Sequence, residues 1–297
     1  MTLLAKRDDL SAPLLGGNKV RALELLLAGV GPDDTLLTVG PTGSTHALAV
    51  AQYGSRLGAR TEVLTWPQEL HEVASATAAR LEQRAYVTHA RSPLDAYLRA
   101  GLRRIRRTVR WIPAGGSVPL GAIGHVNAAL ELADQLARDG TPMPSTIVAP
   151  LGSGGTVAGL LVGLAIARAS TTVIGVRVVP RVVANRGRVL SLARRTRELL
   201  SRLAHQQLPE LDPRRFEIDE HSYGGAYGRE TLAAQHAATR LLAAGGPLLD
   251  GTYSAKTFAS ALEHARVTGD ARVLFWLTFD GRWIDAANDD PRGSRLS

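Results

Sequence analysis

The chain has 297 residues, 45% hydrophobic and 21% charged, a composition suited to one large globular domain or two modest ones and unlike a disordered tail or a fibre. It contains no cysteine, which excludes disulfides, thiolate catalysis and zinc-thiolate sites. The formal net charge of +8 is of the kind that alanine- and arginine-rich chains spread over solvated helix faces, so charge alone gives no case for a nucleic-acid partner.

The start, MTLLAKRDDL, lacks the apolar stretch of a signal peptide. The longest apolar run, VAGLLVGLAIA (157–167), is too short to cross a bilayer and ends in Arg168. A cytoplasmic protein with no membrane partner is expected. After a helical run VRALELLL (20–27), TLLTVG (35–40) reads as a buried strand, followed by the turn PTGST and a helix HALAVAQYGSRLG. TEVLTW (61–66), YVTHA (86–90) and VRWIPA (109–114) read as further strands, with a helix ELHEVASATAARLEQR between the first two. Arg103, Arg106, Arg107 and Arg110 have helical spacing and predict one basic, solvated face. Next come a helix GAIGHVNAALELADQLARDG, a strand STIVAPLG (145–152), a helix GGTVAGLLVGLAIARA and a strand TVIGVRVVP. The helix RGRVLSLARRTRELLSRLAHQQ precedes an irregular stretch from Leu208 to Tyr227. Two helices follow, about 229–244 and 255–266, then a last strand RVLFWLTF and a polar tail NDDPRGSRLS.

Short strands alternating with longer helices are the rhythm of βα units. The expected fold is α/β, with two lobes, each an open, mostly parallel sheet flanked by helices, and a cleft between them. The larger lobe is expected to span residues 1–24 and 129–297, the smaller 25–128.

Two stretches carry chemistry. APLGSGGTVAGLL (149–161) follows a strand and opens a helix, so its backbone N–H groups and helix terminus form an anion cradle suited to a phosphate. The dinucleotide fingerprint fails because Val157 stands where its last glycine belongs, and no acidic residue occurs between Asp139 and Glu198 to hold a ribose. The nucleotide P-loop fails for want of its lysine. A plain tight turn between strand and helix is the other reading of the same glycines.

The second stretch is LLGGNKVRALELLL (14–27). Only three of the 35 basic residues are lysines, Lys6, Lys19 and Lys256, so arginine has taken nearly every cationic position. Lys19, placed after two glycines at the mouth of a turn, is a candidate for work arginine cannot do: attack by a neutral amine, which desolvation favours. An aldehyde bearing a phosphate would use both stretches, and pyridoxal 5′-phosphate is such a molecule. Taken alone, Lys19 reads equally well as a surface lysine near a helix start.

KRDDLSAPLLGGNKVRALELLL resembles the segment holding the cofactor lysine in the D-cysteine desulfhydrase and 1-aminocyclopropane-1-carboxylate deaminase family, whose fold is of the tryptophan-synthase-β type, pyridoxal-phosphate fold type II. GSTHALAVA (43–51), IPAGGSVPLGAIGHVNAALEL (112–132), GSGGTVAGL (152–160), YGGAYGRETLAA (223–234) and LLDGTYSAKTFASALE (248–263) agree in the same order. The resemblance implies that Lys19 carries the cofactor and moves protons, and that Gly152, Ser153, Gly154, Gly155 and Thr156 bind its phosphate. It places Ser44 at a helix start facing cofactor and substrate carboxylate, Thr45 beside the ring hydroxyl, Tyr253 on the substrate side and Thr278 near the pyridine nitrogen. It further implies a homodimer that takes a small amino acid and releases pyruvate and ammonia by β-elimination.

Departures from the family pattern are specific. Thr45 replaces an asparagine, Phe279 and Asp280 replace two glycines, and five residues stand before KRDD where the family has a few dozen, which implies a truncated start or a lost packing segment. The deaminases follow the tyrosine with glutamate; Ser254 here favours the desulfhydrase branch. A deaminase-like enzyme, or a non-catalytic relative that keeps the fold as a binding protein, are the alternatives. The eight histidines form no HxxxH or HExxH pattern, so no metal is expected, and His46 and His221 read as packing or hydrogen-bonding residues near the cleft.

Overall fold

The computed structural model describes residues 3–282 apart from Leu14, His71, Tyr227, Ala271 and Asp280. In chain order its elements are β1 (Leu4–Arg7), α1 (Asn18–Leu26), β2 (Thr35–Pro41), α2 (Thr45–Arg56), β3 (Arg60–Trp66), α3 (Glu72–Glu82), β4 (Tyr86–His89), α4 (Pro93–Arg103) and β5 (Val109–Trp111). There follow α5 (Pro119–Arg138), β6 (Thr146–Leu151), α6 (Gly155–Ile166), β7 (Thr172–Arg177), α7 (Arg186–Leu203), β8 (Phe216–Asp219), α8 (Leu232–Ala243), α9 (Ser254–Thr268) and β9 (Val273–Leu277).

The strands form two sheets, ordered β1-β9-β6-β7-β8 and β4-β3-β2-β5, and every pairing within them is parallel. The expectation of mostly parallel sheets is thus met in full. Both faces of a parallel sheet are covered by helices, which is why the central strands are apolar runs without alternation. Every residue of TIVAPL (β6) and VLFWL (β9) is buried. One core lies between the five-stranded sheet and α5, α6 and α7, around Leu151, Leu160, Leu192 and Trp276. A second lies on the opposite face, where Phe258 and Ala261 of α9 and Ala234 of α8 meet Val148 and Phe275. In the four-stranded sheet, α2 and α3 cover one face through Leu48 and Leu81, and α4 covers the other through Ala96 and Ala100.

Helix α1 is fixed to this frame by charge. Asp8, fully buried, accepts from Arg21 Nε at 2.9 Å and from Trp276 Nε1 at 2.7 Å. Arg21 also reaches Glu131 of α5 at 2.9 Å, and Lys6 donates to Glu131 and Gln135. Gly124 lets α1 and α5 touch, since a Cβ there would lie 1.8 Å from the Arg21 carbonyl oxygen.

Three elements differ from the sequence reading. Strand β1 was not predicted because LAKR is short and its partner, β9, lies at the far end of the chain. Strand β8, inside the stretch read as irregular, is an edge strand with two acids in four residues. Helix α4 has a start signal, Ser92 accepting from the Asp95 N–H with Pro93 in the first turn. Its ending removes the predicted basic face. Arg103 closes α4 and pairs with Glu62, whereas Arg110 lies in β5 and pairs with Asp34. The tail NDDPRGSRLS lies outside the described residues.

Candidate functional site

The C-terminal ends of β2, β3 and β6 open on a cleft between the two sheets, with a cavity of about 520 Å³. Ligands in open α/β folds bind at this end because the strands deliver loops and helix N-termini there. Lys19, Ser44, Thr45, Gly152, Ser153, Gly154, Gly155, Thr156 and Tyr253 all line it, so the structure brings together the residues singled out in the sequence, with one exception. Thr278 is buried at the end of β9 and is not among the lining residues; its carbonyl accepts from the Asn18 N–H at 3.1 Å.

Lys19 is the second residue of α1 rather than part of the preceding turn. Gly17 caps the helix with φ of 108°, a value glycine tolerates and other residues avoid. The Lys19 Nζ donates to Asn18 Oδ1 at 2.8 Å and lies 5.6 Å from the centre of the Tyr253 ring. Burial lowers its pKa from 10.5 to about 8, against an upward pull from the Asp250 carboxylate. The other two lysines are engaged elsewhere. Lys6 is bound to Glu131 and Gln135, and Lys256, fully buried, donates to the Tyr223 carbonyl at 2.8 Å.

Across the cleft the glycine loop turns into α6 through Gly154, whose φ is 92°. The Gly155 N–H donates to Ser117 Oγ at 3.1 Å, and Ser117 donates to Ser153 Oγ at 2.6 Å. Asn18 Nδ2 donates to Thr156 Oγ1 at 2.9 Å, so one amide side chain couples the amine to the glycine loop. Ser44 caps α2, accepting from the Ala47 N–H at 3.2 Å, and its hydroxyl faces the same cavity. No carboxylate lines the cavity among the described residues. A buried amine, a ring of hydroxyls and N–H groups at a helix start, and no acid make a receptor for a phosphorylated aldehyde. Pyridoxal 5′-phosphate fits these residues: Lys19 would hold its aldehyde carbon and the 152–156 loop its phosphate.

Sequence reasoning passed over Asn18, Ser117 and Asp250. Asp250 accepts from the N–H groups of Thr252, Tyr253 and Ser254, and so fixes Tyr253 at the start of α9. An acid just ahead of the helical run was a visible capping signal. Ser254, used above to choose between branches, is fully buried with its hydroxyl on Asp250 at 2.6 Å and does not line the cavity. Phe279 does not line that cavity; it packs against the core cluster that includes Leu15, Ala47 and Leu48. Asp280 lies outside the described residues. His46 lines the cavity, neutral, its pKa lowered to about 3 by burial and by Lys19, whereas His221 is exposed. Among the described residues no cluster of His, Asp or Glu could hold a metal, and no helix is long and apolar enough to cross a membrane.

Fold and site together define a receptor for a phosphate-bearing aldehyde cofactor. Residues 1–278 match the family model described as pyridoxal-phosphate dependent enzyme, and the chain belongs to that family. It is 34% identical to the Nocardicin C-9′ epimerase of Nocardia uniformis subsp. tsuyamanensis, over 93% of this chain and 85% of that one. It is 31% identical to the D-cysteine desulfhydrase of Salmonella choleraesuis (strain SC-B67), over 91% of this chain and 84% of that one. The crystal structure of an ACC deaminase homologue superposes with a TM-score of 0.75 at 24% identity, covering 96% of this chain and 87% of that one. The fold is therefore the tryptophan-synthase-β type, and the cofactor is pyridoxal 5′-phosphate.

Proposed function

We propose that the protein is a lyase of the D-cysteine desulfhydrase kind, which removes the Cα proton of an amino acid and expels its β-substituent to give pyruvate and ammonia. The observation that carries this is a Lys19 amine of pKa about 8 in a cavity lined by no carboxylate among the described residues. Expulsion of a thiolate needs a base at Cα and no acid at the leaving group, whereas opening a carbon ring requires a proton donor at carbon. The deaminase reading would have to draw that proton from Tyr253 or Lys19, since no carboxylate lines the cavity among the described residues.

When bound, the cofactor supplies an electron sink that stabilises negative charge at Cα. Lys19 Nζ takes the Cα proton, and its low pKa keeps a usable fraction of the amine neutral near pH 7. Ser44 and the N–H groups at the start of α2 bind the substrate carboxylate, where the helix dipole favours an anion. The loop 152–156 with Ser117 would hold the phosphate, and Thr45 would border the ring. Tyr253, pinned by Asp250, packs beside Lys19 and limits where the substrate can lie. Thr278, buried behind Asn18 and outside the cavity lining, has no contact with the ring in this reading. The reading takes residues 1–24 with 129–297 and 25–128 as the two lobes of a cytoplasmic homodimer, which size-exclusion chromatography and cell fractionation test.

Borohydride reduction of the holoprotein, followed by peptide mapping, is expected to place the cofactor on Lys19, and Lys19→Ala to lose both label and pyruvate release from D-cysteine. Turnover retained by Lys19→Ala would overturn the assignment. The likeness to the epimerase favours a second reading, in which the Cα proton is removed and a proton returned on the other face. Solvent deuterium entering Cα with inversion and no pyruvate would select it.

A further inference from the structure

The cleft has two ends of opposite chemistry. Lys19, Ser44, Ser117 and the glycine loop make the polar end. The mouth is walled by Trp66, Pro93 and Tyr97 from the side of the four-stranded sheet and by Val179, Pro180 and Val183 from the segment after β7. No charge and no hydrogen-bonding group except the Tyr97 hydroxyl and the Trp66 indole N–H belongs to these six side chains. Tyr97 is 47% exposed and Val183 43%, so apolar surface is left facing the opening. The aromatic edge is braced from behind: Trp66 and Tyr97 lie 6.4 Å apart between ring centres, and Tyr97 meets Trp111 edge-on at 6.3 Å. A substrate whose side chain ended at a thiol would leave this wall wet and unused.

We propose that the mouth is a specificity compartment that takes a flat apolar group carried through sulfur on the β-carbon of the substrate, so that the preferred substrates are S-aryl derivatives of cysteine rather than cysteine itself. This rests on the reading of the polar end as the place of the α-carbon, carboxylate and amine. The elimination balances with water as co-reactant. The Cα–H proton goes to Lys19 and the Cβ–S bond breaks. The sulfur leaves with the bond's electron pair and acquires a proton as a thiol. Water then hydrolyses the remaining enamine to pyruvate and ammonia.

The test separates binding from turnover, using the holoenzyme and calorimetry. D-Homophenylalanine replaces the sulfur of S-phenyl-D-cysteine by a methylene and cannot eliminate; D-2-aminobutyrate does the same for D-cysteine. Homophenylalanine is expected to bind roughly ten- to a hundredfold more tightly, the range for burying a phenyl group. That ratio should fall towards one in Trp66→Ala and in Val183→Asp, the second chosen because an exposed position tolerates exchange. Equal affinities in the unaltered enzyme, or an undiminished ratio in both folded variants, would overturn the compartment. Pyruvate release from S-phenyl-D-cysteine tests the lyase reading separately. Selective binding without pyruvate would retain the compartment and remove the elimination.

Discussion

Aldehyde capture by Lys19 should switch on near pH 8 rather than near pH 10. The perturbation is pH alone, applied to cofactor-free protein. Burial takes the amine from its ordinary 10.5 to about 8, a displacement worth about 3 kcal/mol in favour of the neutral form. At pH 7.5 roughly a quarter of the molecules then hold a neutral Lys19, against about one in a thousand for a free lysine. Capture should therefore be roughly 200-fold faster than at an exposed lysine, before allowing for the lower nucleophilicity of a less basic amine. The assay is timed incubation with pyridoxal 5′-phosphate between pH 6 and 10, borohydride quenching, and quantification of the labelled Lys19 peptide. Stability follows the same equilibrium. Between about 8 and 10.5 the folded state binds fewer protons at Lys19 than the unfolded state does, so stability rises as pH climbs through that window. Below about 8 the cost of the buried ammonium is fully present. A labelling midpoint near 10, or equal labelling of Lys6 and Lys19, would refute the claim that burial tunes this amine.

Asp250→Asn removes the charge that holds the Lys19 value up, so the labelling midpoint should move below about 8. Asp8→Ala leaves Arg21 without its buried partner and should cost about 3–5 kcal/mol in urea unfolding. Ser44→Ala removes the α2 cap, about 1 kcal/mol by the same measurement, and should raise KM for amino acids by weakening carboxylate binding. Gly124→Ala forces α1 and α5 apart, costing about 1–3 kcal/mol, and should slow labelling of Lys19 because that residue rides on α1.

Much of the fold could be read from the chain because its central strands are buried on both faces and stand out as apolar runs between amphipathic helices. The edges could not. β1 and β8 are short and partly charged, and only their neighbours in space make them strands. Helix α4 was obscured for another reason: Leu94, Leu98 and Leu102 repeat at helical spacing on an exposed face, while its buried contacts are made by Ala96 and Ala100. In the site, Lys19 was conspicuous by the scarcity of lysine, and the 152–156 loop by its glycines. Asn18 and Ser117 act by hydrogen bonding to partners chosen by the fold, and nothing in residue type distinguishes them from other polar residues, whereas Asp250 stood where a helix cap belongs. Ser254 shows the converse, since adjacency to Tyr253 in sequence does not carry its side chain into the cavity.

The pairing of β1 with β9 bears on how the protein is made. The turn that presents Lys19 is held by residues synthesised long after it: Trp276 donates to Asp8, the Thr278 carbonyl receives the Asn18 N–H, and Gly17 bridges Phe279. A ribosome delivers the reactive lysine early and its supports some 260 residues later. Contacts of such long range form slowly. Until β9 docks against β1, the nascent chain therefore carries a lysine that lacks the buried setting which favours aldehyde capture.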